Sequence, residues 1–177
     1  MKIKNLTATA LMTAVVTVIS LISLPNAVTG VAITLQVFAV ALSSYLLGVK
    51  RGLLAVLSYI IIGLIGVPVF SGFRGGFDAI VGPTGGFIIG FLPLALFCGL
   101  SNHKNKIWYS ILFGVIGLIV CHIFGVVQYS VYSKSGILSS AVLVSFPYLI
   151  KDLVLLLGAY FSAKVVKKAL KRAKIEI

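Results

Sequence analysis

Acidic residues are nearly missing: three Asp and Glu stand against 15 Lys and Arg in 177 residues. Charged residues of both signs make up 10% of the chain, where a soluble domain carries about 25%. An ordinary soluble fold is therefore excluded. Cysteine is scarce as well, with Cys98 and Cys121 both inside apolar runs, which reads as two buried free thiols and not as a disulfide framework. His122 beside Cys121 lacks the ligand spacing of a metal site and reads as a packed or hydrogen-bonded side chain, so no metal is expected. There is no GxxxxGK[ST] phosphate loop, hence no ATP hydrolysis in this chain by that route. No zinc-protease or serine-hydrolase signature is found either, and no nucleophile and base stand out as a pair, which argues against a membrane enzyme.

What is present is grease. Hydrophobic residues make up 60% of the chain, and they fall into long runs that mark an integral, multi-pass membrane protein with a lipid bilayer as its partner. The net charge of +12 would suggest nucleic acid, but the basic residues sit in short tracts between the runs and read as topology signals instead. The expected fold class is an all-α membrane protein, a single domain over residues 1–177 with six transmembrane helices. The spans are expected at about 6–24, 34–48, 52–66, 82–100, 107–127 and 147–166, with a basic tail over 167–177. The first run, 19 residues from Leu6 to Leu24, exceeds a typical signal-peptide core and is kept as a span. Pro147 divides the last run, and Ser145 is expected to cap the helix that follows it, with residues 132–145 as an outer connection.

If six spans alternate, Lys2, Lys4, Lys50, Arg51, Lys104, Lys106, Lys164, Lys167, Lys168, Lys171, Arg172 and Lys174 share one face. Twelve of the 15 basic residues on one side make that face cytoplasmic, with both termini inside and Trp108 and Tyr109 in an inner interfacial belt. Lys134 reads as a solvated loop charge. Residues 66–91 then fall on the outer side between the third and fourth helices: GVPVFSGFRGGFDAIVGPTGGFIIGF, with eight glycines and two prolines. Backbone this irregular persists in a membrane only where protein buries it or where it lines a cavity.

Around that outer loop the sequence gathers its polar groups. Lys151 and Asp152 lie about one turn inside the sixth span, where ionisable groups mark a pathway or site. As neighbours on a helix they point about 100° apart and are expected not to share a face; an ion pair of either with Arg74 or Asp78, pinning helix to loop, is the structural alternative. Thr34 and Gln36 open the second span, while Gln128, Tyr129 and Tyr132 close the fifth. With Arg74, Asp78, Lys151 and Asp152 they form one outer layer, which suggests a pocket open to the outside and lined by Phe70, Phe73, Phe77 and Phe87. In the first span Ala10 and Ala14 are a small-xxx-small pair that permits close helix approach.

Three ordered stretches, ITLQVFAVAL from Ile33, LLGVKRGLLAVLSYIIIGLIGVPVFSGFRGG from Leu46 and GPTGGFIIGF from Gly82, together with FPYLIKDL from Phe146, resemble the BioY substrate-binding (S) components of energy-coupling factor transporters. The resemblance runs nearly the whole length. It implies capture of biotin from outside at the plasma membrane of a bacterium, and lateral docking on a transmembrane coupling (T) protein driven by two ABC-type ATPase subunits. ATP would be used by those partners, leaving this chain without a cofactor. Ala10 and Ala14 match the family's AxxxA docking face. In such a pocket Arg74 suits the biotin carboxylate, because its planar fork matches two oxygens. Asp152 would accept from the ureido N–H groups, with Gln36, Gln128 or Lys151 near the carbonyl, and with Thr34, Asp78 and Phe73 in the same layer. Many members carry Pro where Ala32 and Val49 stand, and often a Lys three positions after the acid, where this chain has Leu155. A self-sufficient secondary transporter of a small carboxylate, using Asp152 and Lys151 for a coupled proton, is the competing reading, although no inverted repeat is seen. The GFRGGFD segment is read as a lid and carboxylate clamp, and GPTGGF as the start of a closely packed fourth helix.

Overall fold

The computed structural model describes residues 3–101 and 106–174. Lys2, Lys104, the neighbouring Asn102, His103 and Asn105, and residues 175–177 lie outside the described residues, and with them part of the topology argument. Seven helices are assigned among the described residues: α1 (Ile3–Leu21), α2 (Gln36–Leu64), α3 (Phe77–Val81), α4 (Gly85–Leu100), α5 (Ile107–Ser133), α6 (Ile137–Val144) and α7 (Phe146–Arg172). By length and composition α1 and α5 can each cross a membrane, as can α2 when its 29 residues are taken together, and α6 with α7, bent by 49°, makes a further crossing-competent unit.

The long α2 is not one rod. Gly48, at φ 77° and ψ −177°, leaves the helical region inside it. In a straight helix residues 44 and 52 would stand about 12 Å apart, yet a Cβ placed on Gly52 would lie 2.7 Å from the Ser44 Cα. Gln36 Nε2 likewise reaches Tyr59 Oη at 2.9 Å. The chain therefore doubles back at Gly48 into two antiparallel arms, residues 36–47 and 49–64, as the Lys50–Arg51 break implies. Only a residue free to take positive φ turns a helix so tightly, and Ser44 leaves no room for a side chain at residue 52.

Several expected boundaries move. The first helix stops at Leu21 and not at Leu24, because Ser23 and Leu24 (β1) pair antiparallel with Ile33 and Thr34 (β2). That two-residue ribbon ties both ends of the loop between them. The fourth helix begins at Gly85 after a turn, with the short α3 preceding it. The fifth runs six residues further than expected, to Ser133, where Lys134 takes the left-handed conformation with φ 53°; Lys134 is exposed, as expected of a loop charge. The last helix continues to Arg172 through most of the expected tail. Pro147 does sit in its first turn, but Ser145 makes no side-chain cap.

The α2 hairpin is central, with α1, α4 and α7 against it and α5 against α4. Tyr59, Phe70, Leu94, Leu118 and Leu156 are almost wholly enclosed in one core. The α4–α5 contact is close: a Cβ on Gly86 would lie 2.2 Å from the Phe124 carbonyl oxygen, and one on Gly90 would lie 2.9 Å from the Cys121 Cα. Small residues let the two backbones meet, as in membrane helix pairs generally. Both cysteines are free and buried.

Candidate functional site

At one end of this bundle, α2, α4 and α7 converge under the loop that joins β1 to β2 and under residues 65–76. Helical spacing puts Tyr148, Lys151 and Asp152 at i, i+3 and i+4 on neighbouring parts of α7. Asp152 is buried, its side chain 7% exposed, while Lys151 keeps 27%. Lys151 Nζ sits 2.5 Å from Asp152 Oδ1 and donates to the Thr34 carbonyl at 2.9 Å. The expectation that these neighbours could not share a face is thus corrected: the flexible four-carbon stem of lysine bends across the 100° between them. Neither Arg74 nor Asp78 supplies the partner. The other Asp152 oxygen, Oδ2, faces His122 Nε2 at 3.3 Å.

These groups border an inner cavity of ≈ 40 Å³, lined among others by Thr34, Gln36, Phe87, Tyr148, Lys151 and Asp152. Gln36 is buried and held from both sides, with Thr34 Oγ1 donating to its Oε1 at 3.1 Å and its Nε2 donating to Tyr59 Oη. Ala32, Ser71 and Thr84 line this cavity and also a second, outer chamber of ≈ 450 Å³. Phe73 and Arg74 face that outer chamber beside Asn26 and Gly30. Arg74 is exposed at the end of a tight turn in which Phe70 N donates to Arg74 O at 2.9 Å. Within that turn Gly72 and Phe73 both take positive φ, 71° and 56°. For a phenylalanine that conformation is strained, and strained backbone concentrates at ligand clamps and switches.

Four expected site residues, Thr34, Gln36, Lys151 and Asp152, therefore meet in the inner cavity, and two, Arg74 and Phe73, in the adjoining chamber. Gln128 and Asp78 reach neither. Gln128 Nε2 donates to the Ile80 carbonyl and, at 3.1 Å, to that of Gly82, satisfying orphan acceptors at the end of α3. Asp78 is exposed at the start of α3. The aromatic lining divides as well. Phe87 borders the inner cavity, whereas Phe70 is a core residue set edge-on to Tyr59, ring centroids 5.4 Å apart, and Phe77 points outward.

Two residues belong to the site without any expectation of it. His122 was legible only as a lone histidine in an apolar run, and nothing local in the sequence reveals that α5 brings it against Asp152. Tyr148 donates to the Val31 carbonyl at 2.6 Å and accepts from Asn26 Nδ2 at 3.0 Å, which fastens the β1–β2 loop over the cavity. Its i, i+4 relation to Asp152 was the available signal.

Ala10 and Ala14 lie on the outward side of α1, whose buried residues are Thr9, Met12, Thr13, Val16 and Ser20. They border a shallow groove of ≈ 520 Å³ that Ser58 and Ile62 of α2 complete.

Comparison with known proteins gives concordant matches. The BioY family matches residues 1–172. A protein named biotin transporter BioY, from Thermotoga maritima, is 39% identical over 93% of this chain and 96% of its own length. A probable biotin transporter BioY from Pyrococcus horikoshii is 39% identical over 87% and 90%. Among solved structures, the crystal structure of the S-component for biotin from an ECF-type ABC transporter superposes with a TM-score of 0.84 at 27% identity, over 94% of this chain and 92% of that one.

Proposed function

The chain belongs to the BioY family, and from that membership we propose that it is the biotin-binding S component of an energy-coupling factor transporter, loading biotin from outside. The observation that carries this reading is a pair of adjacent chambers that share Ala32, Ser71 and Thr84 in their walls. A buried carboxylate with a lysine beside it faces the inner one, and a solvent-exposed guanidinium faces the outer one. Biotin has the matching polarity: a ureido ring with two N–H donors and a carbonyl at one end, and a carboxylate at the other. Asp152 accepts from the ureido N–H groups, Lys151 and Gln36 serve the carbonyl with Thr34 behind them, and Arg74 pairs with the carboxylate beside Phe73. Gln128 holds the end of α3 and Asp78 stands exposed at its start, and neither is assigned to the ligand.

The inner cavity, ≈ 40 Å³, is far below the roughly 300 Å³ at which small-molecule pockets begin. Loading thus requires the loops carrying Ala32 and Ser71 to part. The two arms of α2 count as separate spans, which with α1, α4, α5 and α7 gives six crossings in one domain and both termini in the cytoplasm. The exposed Ala10–Ala14 face meets a T protein, and two ATPase subunits supply the energy, so this chain carries no cofactor and catalyses no reaction. Calorimetric titration of the purified protein with biotin tests the reading. A sub-micromolar affinity supports it; no heat and no melting shift at saturating biotin overturns it. Uptake of biotin by proteoliposomes holding this chain alone would favour the secondary-transporter alternative.

A further inference from the structure

One buried ionisable group in the cluster has no part in the proposed ligand contacts. His122 projects from α5, 4% exposed, with Nδ1 3.0 Å from Ser145 Oγ and Nε2 3.3 Å from Asp152 Oδ2. Its ring stands edge-on to Phe87 of α4, centroids 5.6 Å apart at 89°. Ser145 lies at the break between α6 and α7 and spends its hydroxyl on the imidazole instead of capping α7. Yet Nε2, shielded from solvent, completes no hydrogen bond in this state. The approach to Asp152 is unfinished, and a small turn of the carboxylate would close it. Leaving a buried donor unmade is costly, so such a contact favours the carboxylate orientation that satisfies it.

We propose that His122, anchored by Ser145, is a positioning residue that aims the Asp152 carboxylate into the inner cavity. The inference rests on reading this cavity as the biotin site. When the Ser145 hydroxyl donates to Nδ1, the Nε2 proton is directed at Oδ2, leaving the remaining carboxylate lone pairs to a ligand's N–H donors.

The test is calorimetric biotin affinity of the purified full chain in nanodiscs for wild type, His122→Gln and His122→Leu. Expected is binding by the Gln variant within about threefold of wild type, since its amide can donate to Asp152, and binding at least about tenfold weaker for Leu. A Leu variant that binds as wild type does overturns the inference, and so does a Gln variant that binds as weakly as Leu. A wild type that does not bind biotin overturns the biotin reading itself. Should the variants not fold, ¹⁵N-imidazole spectra of wild type decide: the chain has two histidines, and His122 nitrogen signals left unmoved by saturating biotin overturn the proposal.

Discussion

Asp152 concentrates the electrostatic risk of the molecule. A carboxylate with 5% of its residue area exposed is tolerable in a membrane protein only because Lys151 approaches one of its oxygens and His122 the other. Removing a member of a buried pair typically costs 3–5 kcal/mol, since the remaining charge is left uncompensated. Asp152→Ala should fall at the low end, about 3 kcal/mol, because Lys151 is a quarter exposed and can turn toward water. It should also abolish measurable biotin binding, and melting in detergent with and without biotin reads both effects. Arg74→Ala should behave differently. Arg74 is exposed and carries no structural burden, so the melting point should stay within a degree or two of wild type. Biotin affinity should fall about 30-fold, the equivalent of ~2 kcal/mol for a lost charged partner. Affinity within about twofold of wild type would remove Arg74 from the carboxylate role. Asp152, Lys151, Thr34 and Gln36 were legible in sequence because polar residues within an apolar run advertise themselves by their cost. His122 was not, since a half-polar ring in the same setting has a cheap packed explanation and its partner lies 30 positions away. Gln128 stands apart from them for the converse reason: backbone carbonyls at the end of α3 take its amide, and backbone demand is invisible in a side-chain inventory.

Among the elements, the glycines decide the geometry. The hairpin within α2 was legible, because Gly48 is followed by Lys50 and Arg51 and a charged pair ends an apolar run. The two-residue β1–β2 ribbon was not, because pairing so short has no periodicity to detect. It nevertheless ties the loop that Tyr148 latches. Tyr148→Phe keeps the ring and deletes the hydroxyl that holds Val31 and Asn26. At about 1 kcal/mol net for each of the two hydrogen bonds, loop opening should become easier by roughly 30-fold. Stopped-flow chase of bound biotin should show a dissociation rate raised by about that factor with the melting point little changed; an unaltered rate would sever Tyr148 from gating. The α4–α5 seam should be far less forgiving. Gly86→Val sets a branched side chain where even a Cβ would lie 2.2 Å from the Phe124 carbonyl, and backbone cannot rotate away as a side chain can. Overpacking of this kind costs about 3 kcal/mol, and it should appear as a lowered melting point and loss of monodispersity in detergent.

For the molecule as a whole, the distribution of polar groups separates the two things a binding subunit must do. Ligand groups gather at the end of the bundle where α7 begins, while α1, which supplies none of them, faces outward along its small residues. Its buried side, Thr9, Met12, Thr13, Val16 and Ser20, is committed to α2, and Thr13 Oγ1 lies within hydrogen-bond reach of the Ala55 carbonyl at 3.2 Å. Ala10 and Ala14 remain exposed on the other side, beside a groove with no packing task inside the chain. In lipid the gain from covering such a face comes from close backbone approach and not from hydrophobicity, so side-chain volume matters more than polarity. Replacing both alanines by leucine should therefore leave biotin affinity within about twofold, since neither residue borders the ligand chambers. Energised uptake in cells that supply the T protein and ATPases should fall by at least about tenfold, because the two added isopropyl groups prop the helices apart. Replacement by serine, small and polar, should spare uptake. Loss of uptake with serine as well as leucine would point to a chemical requirement instead of a steric one, and full uptake with leucine would move the docking face elsewhere.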